Sequence, residues 1–495
     1  MAEPQQASGT KTLKQLFEAE PDRLSRFTFD VAGVHFDWSK THLDAGAMER
    51  FLERAEGMGF ASARDALFAG EVVNPSEGRA ATHVAERGSG APAEVDLATA
   101  RRQRMRALVD AIEAGAFGTL TGILHIGIGG SVLGPALLVD ALGRRASSLN
   151  VRFLSNIDGA AFEDAVRTLD PATTLVVVAS KTFSTLETLA NLEAARAWLR
   201  GAGVPDPDGQ VVAVTAKPEA AVAQGIDETR VLQFAEGVGG RYSLWSSVGL
   251  SAALALGWDA FEVLLEGAAE MDRHFRFADL SANVPLIAAF ADRLYVESFG
   301  YQTRGVFAYD ERLRLLPFYL QQLEMESNGK SVTKDGQPVA KSTAPVTWGG
   351  TGTDAQHAVF QLLHQGTVLV PVEFVSVSEG DDAQDPEHHR LLLLNAFAQG
   401  AALMEGRASD DPQRSYAGNR PSATILLERL DPRTLGALIA FYEHRTFANA
   451  VLLGINPFDQ FGVELGKDIA RKISDGAGDG SLDGSTLALI ERAGI

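Results

Sequence analysis

The sequence predicts an α/β protein built on mainly parallel sheets, and three observations carry that reading. The segments GILHIGIGG, VRFLSN, TLVVVAS and QVVAVTA follow one another between about residues 100 and 260. Each is separated from the next by a stretch long enough for a helix. Their apolar runs are continuous rather than alternating, as expected of strands covered on both faces by crossover helices.

Taken in order, the chain opens on the polar MAEPQQASGTKTLKQ, which lacks an apolar signal core. The first ~20 residues read as a loosely held arm. Helical patterns run to about Gly90, where GSGAPAEVD marks a flexible join. A helix through ARRQRMRALVDAIEAG introduces the α/β unit. After Trp258 the pattern is mixed: helices enclose the strand candidates GVFAY, VLVPVEFVSV and SATILLE. The acidic GDDAQDPEHH reads as a surface loop, and a long helix through LGALIAFYEHRTFANAVLLG leads into NPFDQFGVELGKDIARKI. The tail after Ser474, rich in Gly, Ser and Asp, reads as a poorly ordered end. The expected division is 1–99 (an N-terminal helical arm and part of a large domain), 100–260 (a small α/β domain), 261–473 (the large α/β domain) and 474–495 (tail).

Composition narrows the function. At 495 residues the chain exceeds one ordinary core, and length alone suggests roughly two to four domains. With 44 basic and 64 acidic side chains the net charge is −20, which repels nucleic acid and anionic lipid, so neither is an expected partner. No apolar run reaches the ~18 residues of a membrane span. Cysteine is absent, so disulfides, thiolate catalysis and cysteine-ligated metals are excluded. A cytoplasmic location is expected. Any phosphate site must build its own positive field from amides, hydroxyls and a few cations.

Two turns fit that need. TLVVVASKTFSTLETLANLEAARAWL is strand, polar turn and helix, and Ser184-Thr185-Leu186-Glu187 fits a capping box that starts the helix. A helix N-terminus with Ser180, Lys181, Thr182, Ser184 and Thr185 beside it suits a phosphate dianion, although an ordinary capped turn has the same spacing. GILHIGIGGSVLGP is a second strand-turn-helix, with Gly130 and Ser131 at its turn. The dinucleotide fingerprint fails at Val132, and the Walker pattern fails because Pro135 follows Gly134.

Acid–base candidates lie further on. In QQLEMESNGKSV, Glu324 and Glu326 precede the turn Ser327-Asn328-Gly329. A partly desolvated carboxylate there would serve as a general base, and a surface pair before a turn is the plainer alternative. In WGGTGTDAQHAVFQLLHQG, His357 and His364 are seven apart and share a helix face opposite Val359, Leu362 and Leu363. That spacing favours acid–base use over metal binding. Arg241 follows two glycines in GGRYSLWSS, where its guanidinium can meet an oxyanion. Lys467 edges an apolar stripe of Val463, Ile469, Ala470 and Ile473, where a lysine ordinarily snorkels to solvent.

GIGGSVLGP, SKTFSTLET, GGRYSLWS, MESNGK, GTDAQH and NPFDQFGVELGK stand in the order found in glucose-6-phosphate isomerases, and NPSEGRAATHVAERG is similar as well. The resemblance runs from about Asn74 to Ile473. It implies two sugar-isomerase-type three-layer α-β-α domains with mainly parallel sheets. It implies reversible isomerisation of glucose 6-phosphate and fructose 6-phosphate, in glycolysis and gluconeogenesis, with no cofactor and no metal. By resemblance, Glu326 would move the proton between C2 and C1 through an enediol(ate), and Arg241 would stabilise its charge. His357 and Lys467 would open the sugar ring. Ser180, Lys181, Thr182, Ser184 and Thr185 would hold the phosphate, Ser131 and Gly130 would lie near it, and Gln322 and Gln460 would contact substrate. The family is typically a homodimer with shared active sites. Val132 stands where the family usually has Asp, which should affect affinity or local packing rather than reaction type.

Overall fold

The computed structural model describes residues 11–381, 385–474 and 482–495. Among these, strands β1 (Thr28–Val31) and β2 (Val34–Asp37) form an antiparallel hairpin. Five strands follow: β3 (Gly122–Ile126), β4 (Asn150–Leu154), β5 (Thr174–Ala179), β6 (Val211–Thr215) and β7 (Val231–Gln233). All pair in parallel, in the order β4-β3-β5-β6-β7. The remaining strands are β8 (Thr303–Tyr309), β9 (Val346–Thr351), β10 (Val372–Val377) and β11 (Ser422–Leu427). They join the hairpin in a second sheet, β1-β2-β11-β10-β8-β9, parallel except where β2 meets β1 and β11. The molecule is therefore mixed α/β with mainly parallel sheets.

The seven strand candidates of the sequence all form strands, because each is a short apolar run; only the edge strand β4 stays largely half-buried. Every residue of β3, β5 and β6 is buried. The helix Pro432–Leu453 is buried along nearly its whole length, which explains why its apolar residues show no single stripe.

Three expectations need correction. From Thr12 the N-terminal segment is held: a Thr12–Gln15 capping box starts the helix Leu13–Ala19, which buries Leu13 and Leu16. Residues 1–10 of the expected arm lie outside the described residues. Asp385 caps the helix Pro386–Glu405, so DPEHH begins a helix rather than closing a loop, while 382–384 lie outside the described residues. In the tail, 475–481 lie outside them too, but Asp483 caps a helix over Gly484–Ala493. Two compact units divide the chain, one ending at Pro457 and the other Phe458–Ile495. Within the second, the exposed helix Glu464–Ser474 follows a short turn at Phe461–Val463.

Candidate active site

In the five-stranded sheet, chain order reverses between β3 and β5, since β4 lies on one side of β3 and β5 on the other. Ligands of open parallel sheets bind outside the carboxyl ends of strands at such a switch point. Both turns singled out in the sequence lie there. β3 ends in Gly127–Ser131, and β5 ends in Ser180–Thr185.

The polar turn is tightly organised. The Phe183 amide donates to Ser180 Oγ at 3.2 Å, and the Ser184 hydroxyl donates to Thr182 Oγ1 at 2.9 Å. Ser180 Oγ and Thr185 Oγ1 are 3.4 Å apart. The helix that follows, Leu186–Gly201, has Thr185 as its N-cap without a side-chain capping bond. The expected Ser184 capping box is thus not formed, because the Ser184 hydroxyl is turned to Thr182 instead. The first-turn amides stay open to an anion. Lys181 is half-buried, and its ammonium donates to the Glu236 carbonyl at 2.7 Å and the Val238 carbonyl at 3.0 Å. Burial, reinforced by Arg79, brings its pKa down to about 8.

The glycine turn is a meeting place for main chains. A Cβ on Gly130 would fall 2.1 Å from the Gly240 carbonyl carbon and 2.5 Å from the Arg241 nitrogen. Only glycine permits this approach. The Gln322 amide occupies the space over Gly129, where a Cβ would come within 2.8 Å of Nε2. Val132 is buried at the start of the following helix. The Ser131 carbonyl accepts from His125 Nε2 at 2.8 Å, so that ring nitrogen carries the proton.

Gln321–Glu326 is a π-helical turn, a distortion that often marks function. Its two carboxylates part company. Glu324 is ion-paired with Arg304 and accepts from the Thr347 hydroxyl at 2.7 Å. Glu326 is 17 % exposed, and its Oε2 lies 3.2 Å from Arg241 Nη1. That is an ion-pair distance without hydrogen-bond geometry, and Oε2 is buried with no hydrogen-bond donor. Arg241 is itself buried and anchored: Nε donates to Ser327 Oγ at 2.6 Å and Nη2 to the Pro457 carbonyl at 2.5 Å. The Tyr242 hydroxyl lies 2.9 Å from the same Ser327 oxygen, and Tyr319 donates to the Arg241 carbonyl at 3.3 Å.

Beneath this turn lies a lattice of buried ions. Arg304 on β8 reaches Glu373 on β10 at 3.4 Å, and Glu373 accepts from Arg445 Nη1 at 2.6 Å. Arg445 holds Asp292 through two bonds of 2.8 and 2.7 Å. Burial opposes ionisation of Asp292, but Arg445 and Arg304 prevail and bring its pKa down to about 2.

The structure thus gathers Gly130, Ser131, Gln322, Arg241 and Glu326 around the glycine turn, with the Ser180–Thr185 turn on the neighbouring strand. His357 stands apart: it is exposed, without a hydrogen-bond partner among the described residues. The shared helix face expected for His357 and His364 is not formed. The helix breaks at Val359, leaving Gly352–Ala358 and Phe360–Gln365 as separate pieces. His364 turns to Gln399 at 2.8 Å, and Leu362 is 44 % exposed. Gln460 and Lys467 belong to the second unit, where both are exposed, as is the stripe of Val463, Ile469 and Ala470 beside Lys467. Sequence reasoning missed Ser327, Tyr242 and Arg304. The first two adjoin Glu326 and Arg241, but nothing local marks Arg304, which reaches Glu373 across 69 positions.

Polar turns at the switch point of a parallel sheet, with a π-helical turn that sets a carboxylate against a buried arginine, define an α/β protein equipped for acid–base chemistry. Within that class the chain belongs to the phosphoglucose isomerase family, whose sequence model matches residues 37–490, and it is accordingly an isomerase. It is 64 % identical over 482 residues to a glucose-6-phosphate isomerase of Rhizorhabdus wittichii, covering 97 % of this chain and 96 % of that one. It is 58 % identical to the one of Zymomonas mobilis, covering 98 % and 96 %. The crystal structure of a glucose-6-phosphate isomerase from Chlamydia trachomatis superposes with a TM-score of 0.90 at 31 % identity, over 98 % of this chain and 96 % of that one.

Proposed function

We propose that the chain interconverts glucose 6-phosphate and fructose 6-phosphate by proton transfer between C2 and C1, with Glu326 as the base. The observation that carries this reading is the Glu326 oxygen, buried without a hydrogen-bond donor 3.2 Å from a buried arginine. A buried polar atom left unpaired calls for an explanation, and a base awaiting its proton is one. In the open-chain sugar, Glu326 takes the C2 proton and returns it to C1, while the Arg241 guanidinium shares the charge on the enediolate oxygen. The hydroxyls of Ser180, Thr182, Ser184 and Thr185 and the free amides of the helix start hold the phosphate, with Ser131 and Gly130 beside it. Gln322 contacts the sugar and His357 opens the ring, and Gln460 and Lys467 of the second unit are assigned to sugar contact and ring opening by resemblance alone.

His357, exposed and unpartnered, fits a homodimer in which each copy supplies a histidine to the other's site. Mixing inactive Glu326→Gln and His357→Ala variants should then restore activity, and failure to do so would remove the shared site. Among the described residues no helix is long and apolar enough to cross a membrane, and the cytoplasm is the proposed location. A coupled assay supplying fructose 6-phosphate, glucose 6-phosphate and mannose 6-phosphate in turn tests the substrate. Turnover of the first two is expected, and turnover of mannose 6-phosphate alone would overturn the assignment.

A further inference from the structure

The lysine of the phosphate turn points away from the hydroxyl cluster. Lys181 Nζ donates at 2.7 and 3.0 Å to the carbonyls of Glu236 and Val238. The carbonyl between them, that of Gly237, accepts from the Thr82 amide at 3.0 Å. Three consecutive carbonyls are thereby tied down, and a Cβ on Gly237 would come within 2.8 Å of Thr82 Oγ1, so the strap lies close against its support. Lys181 is also fixed through its main chain. Its own carbonyl accepts from the Ala216 amide at 3.0 Å and from the Thr215 hydroxyl at 3.1 Å, both at the end of β6. The residues that leave this strap are Gly239, Gly240 and Arg241, and Gly240 is the residue pressed against Gly130. Arg241 is therefore approached from one side by the glycine turn and from the other by a segment bolted to the phosphate turn.

We infer that Lys181 is a positioning residue whose ammonium couples the phosphate turn to the Arg241 segment, so that a dianion bound at 180–185 steadies the arginine facing Glu326. This rests on the proposed isomerase reading. The physical reason is the state of the lysine. Its charge is half-buried against two neutral carbonyls, and its charged neighbours divide between Arg79 and Arg241 on one side and Glu77 and Glu236 on the other, so burial is the main cost. A phosphate arriving beside it offsets that unfavourable burial, favours the charged form, and strengthens both bonds to the strap. Binding energy from the non-reacting end of the substrate is then used to organise the reacting end.

The coupling makes a prediction opposite to that of a direct phosphate ligand. A ligand contributes to affinity for any phosphate, whereas a positioning residue contributes to kcat. The test compares the wild type with Lys181→Met and Lys181→Arg, reading kcat and KM with fructose 6-phosphate and the inhibition constant of inorganic phosphate. Displacing a charge-stabilising group by a fraction of an ångström to 1 Å should lower kcat by roughly 10- to 100-fold in Lys181→Met. The phosphate inhibition constant should move by less than about threefold, as expected when a bond to the anion is not lost. Lys181→Arg keeps a cation and is read the same way, so it stands in if the methionine variant fails to fold. A raised phosphate inhibition constant with kcat retained would assign Lys181 to the phosphate itself and overturn the proposal. Equal losses in both, or no change in either, would overturn it as well. Absence of wild-type turnover in the same assay would instead defeat the isomerase reading, which keeps the two failures distinct.

Discussion

The two sheets hold their working groups by different physics. In the five-stranded sheet, the central strands β3, β5 and β6 bury valine, leucine, isoleucine and alanine almost throughout. Of their polar residues, Thr174, Thr215 and His125, the histidine is pushed down to about 4 by burial and so is held neutral, between Ser251 and the Ser131 carbonyl. In the six-stranded sheet, β8 and β10 bury Arg304 and Glu373, which with Arg445, Asp292 and Glu324 form a continuous ionic lattice. Apolar packing is non-directional and leaves a turn free to present amides and hydroxyls. Paired charges impose direction. On the proposed reading a phosphate is gripped from many sides and tolerates the first kind of support. A single carboxylate that must meet one carbon needs the second. The lattice is not a source of stability compared with apolar packing, and its use lies in fixing the turn that carries Glu326.

The sharpest way to break this contrast is at the base itself. Glu326→Gln should lower kcat by about 100-fold or more while inorganic phosphate still inhibits as in the wild type. Near-normal turnover would detach the lattice from catalysis. Arg304→Met should cost about 3–5 kcal/mol in chemical denaturation, because it strands the buried Glu324 carboxylate, while Glu373 keeps Arg445. Adding Glu324→Leu to that variant should recover part of the loss, and no recovery would mean that the charges are not the cause.

Acid should find the same difference. Asp292 and Glu373 are held below their ordinary values, burial being outweighed by Arg445 and Arg304. Their contribution is present above the unfolded carboxylate pKa and is lost as pH falls through the lowered folded values; for Asp292 the loss runs from about 4 to about 2 and is worth roughly 2 kcal/mol. Glu443, raised to about 7 mainly by burial, acts in the opposite direction and gains stability as pH falls from about 7 to 4.5. Hydrogen exchange near pH 3 should therefore release amides of β8 and β10 before those of β3 and β5, and the reverse order would refute the contrast. Val177→Ala, in the apolar sheet, should cost about 2 kcal/mol as a packing loss without pH dependence. The smallest effect is expected at the rim: Thr182→Val should raise KM about 3- to 10-fold with kcat unchanged, the value of one hydrogen bond.

Much of the fold was legible because a buried parallel strand is a local signal. The strands that escaped notice lack it. β1 and β2 are four-residue strands at one end of their sheet, β7 has three residues, and β9 is VTWGGT, whose Gly349 lies where a Cβ would fall 1.7 Å from the Val306 carbonyl oxygen. The polar turn, the glycine turn, Arg241 and the two glutamates were visible as motifs. Which glutamate is spent on a hydrogen-bonded ion pair was not, since Glu324 of the π-helical turn meets Arg304 of β8 only in the folded chain. The break at Val359 was equally hidden: its apolar spacing suits one helix, and only the backbone shows two. The Ser184 capping box failed because another hydroxyl lay within reach.

At Gly130 two loops touch without any side chain between them. Elsewhere a neighbourhood can be retuned by swapping one residue for a slightly larger or smaller one. Here the gauge is already at its minimum, so the gap separating the glycine turn from the guanidinium is written in peptide planes. Drift in either ribbon has no cushion to absorb it and passes undiminished to the other.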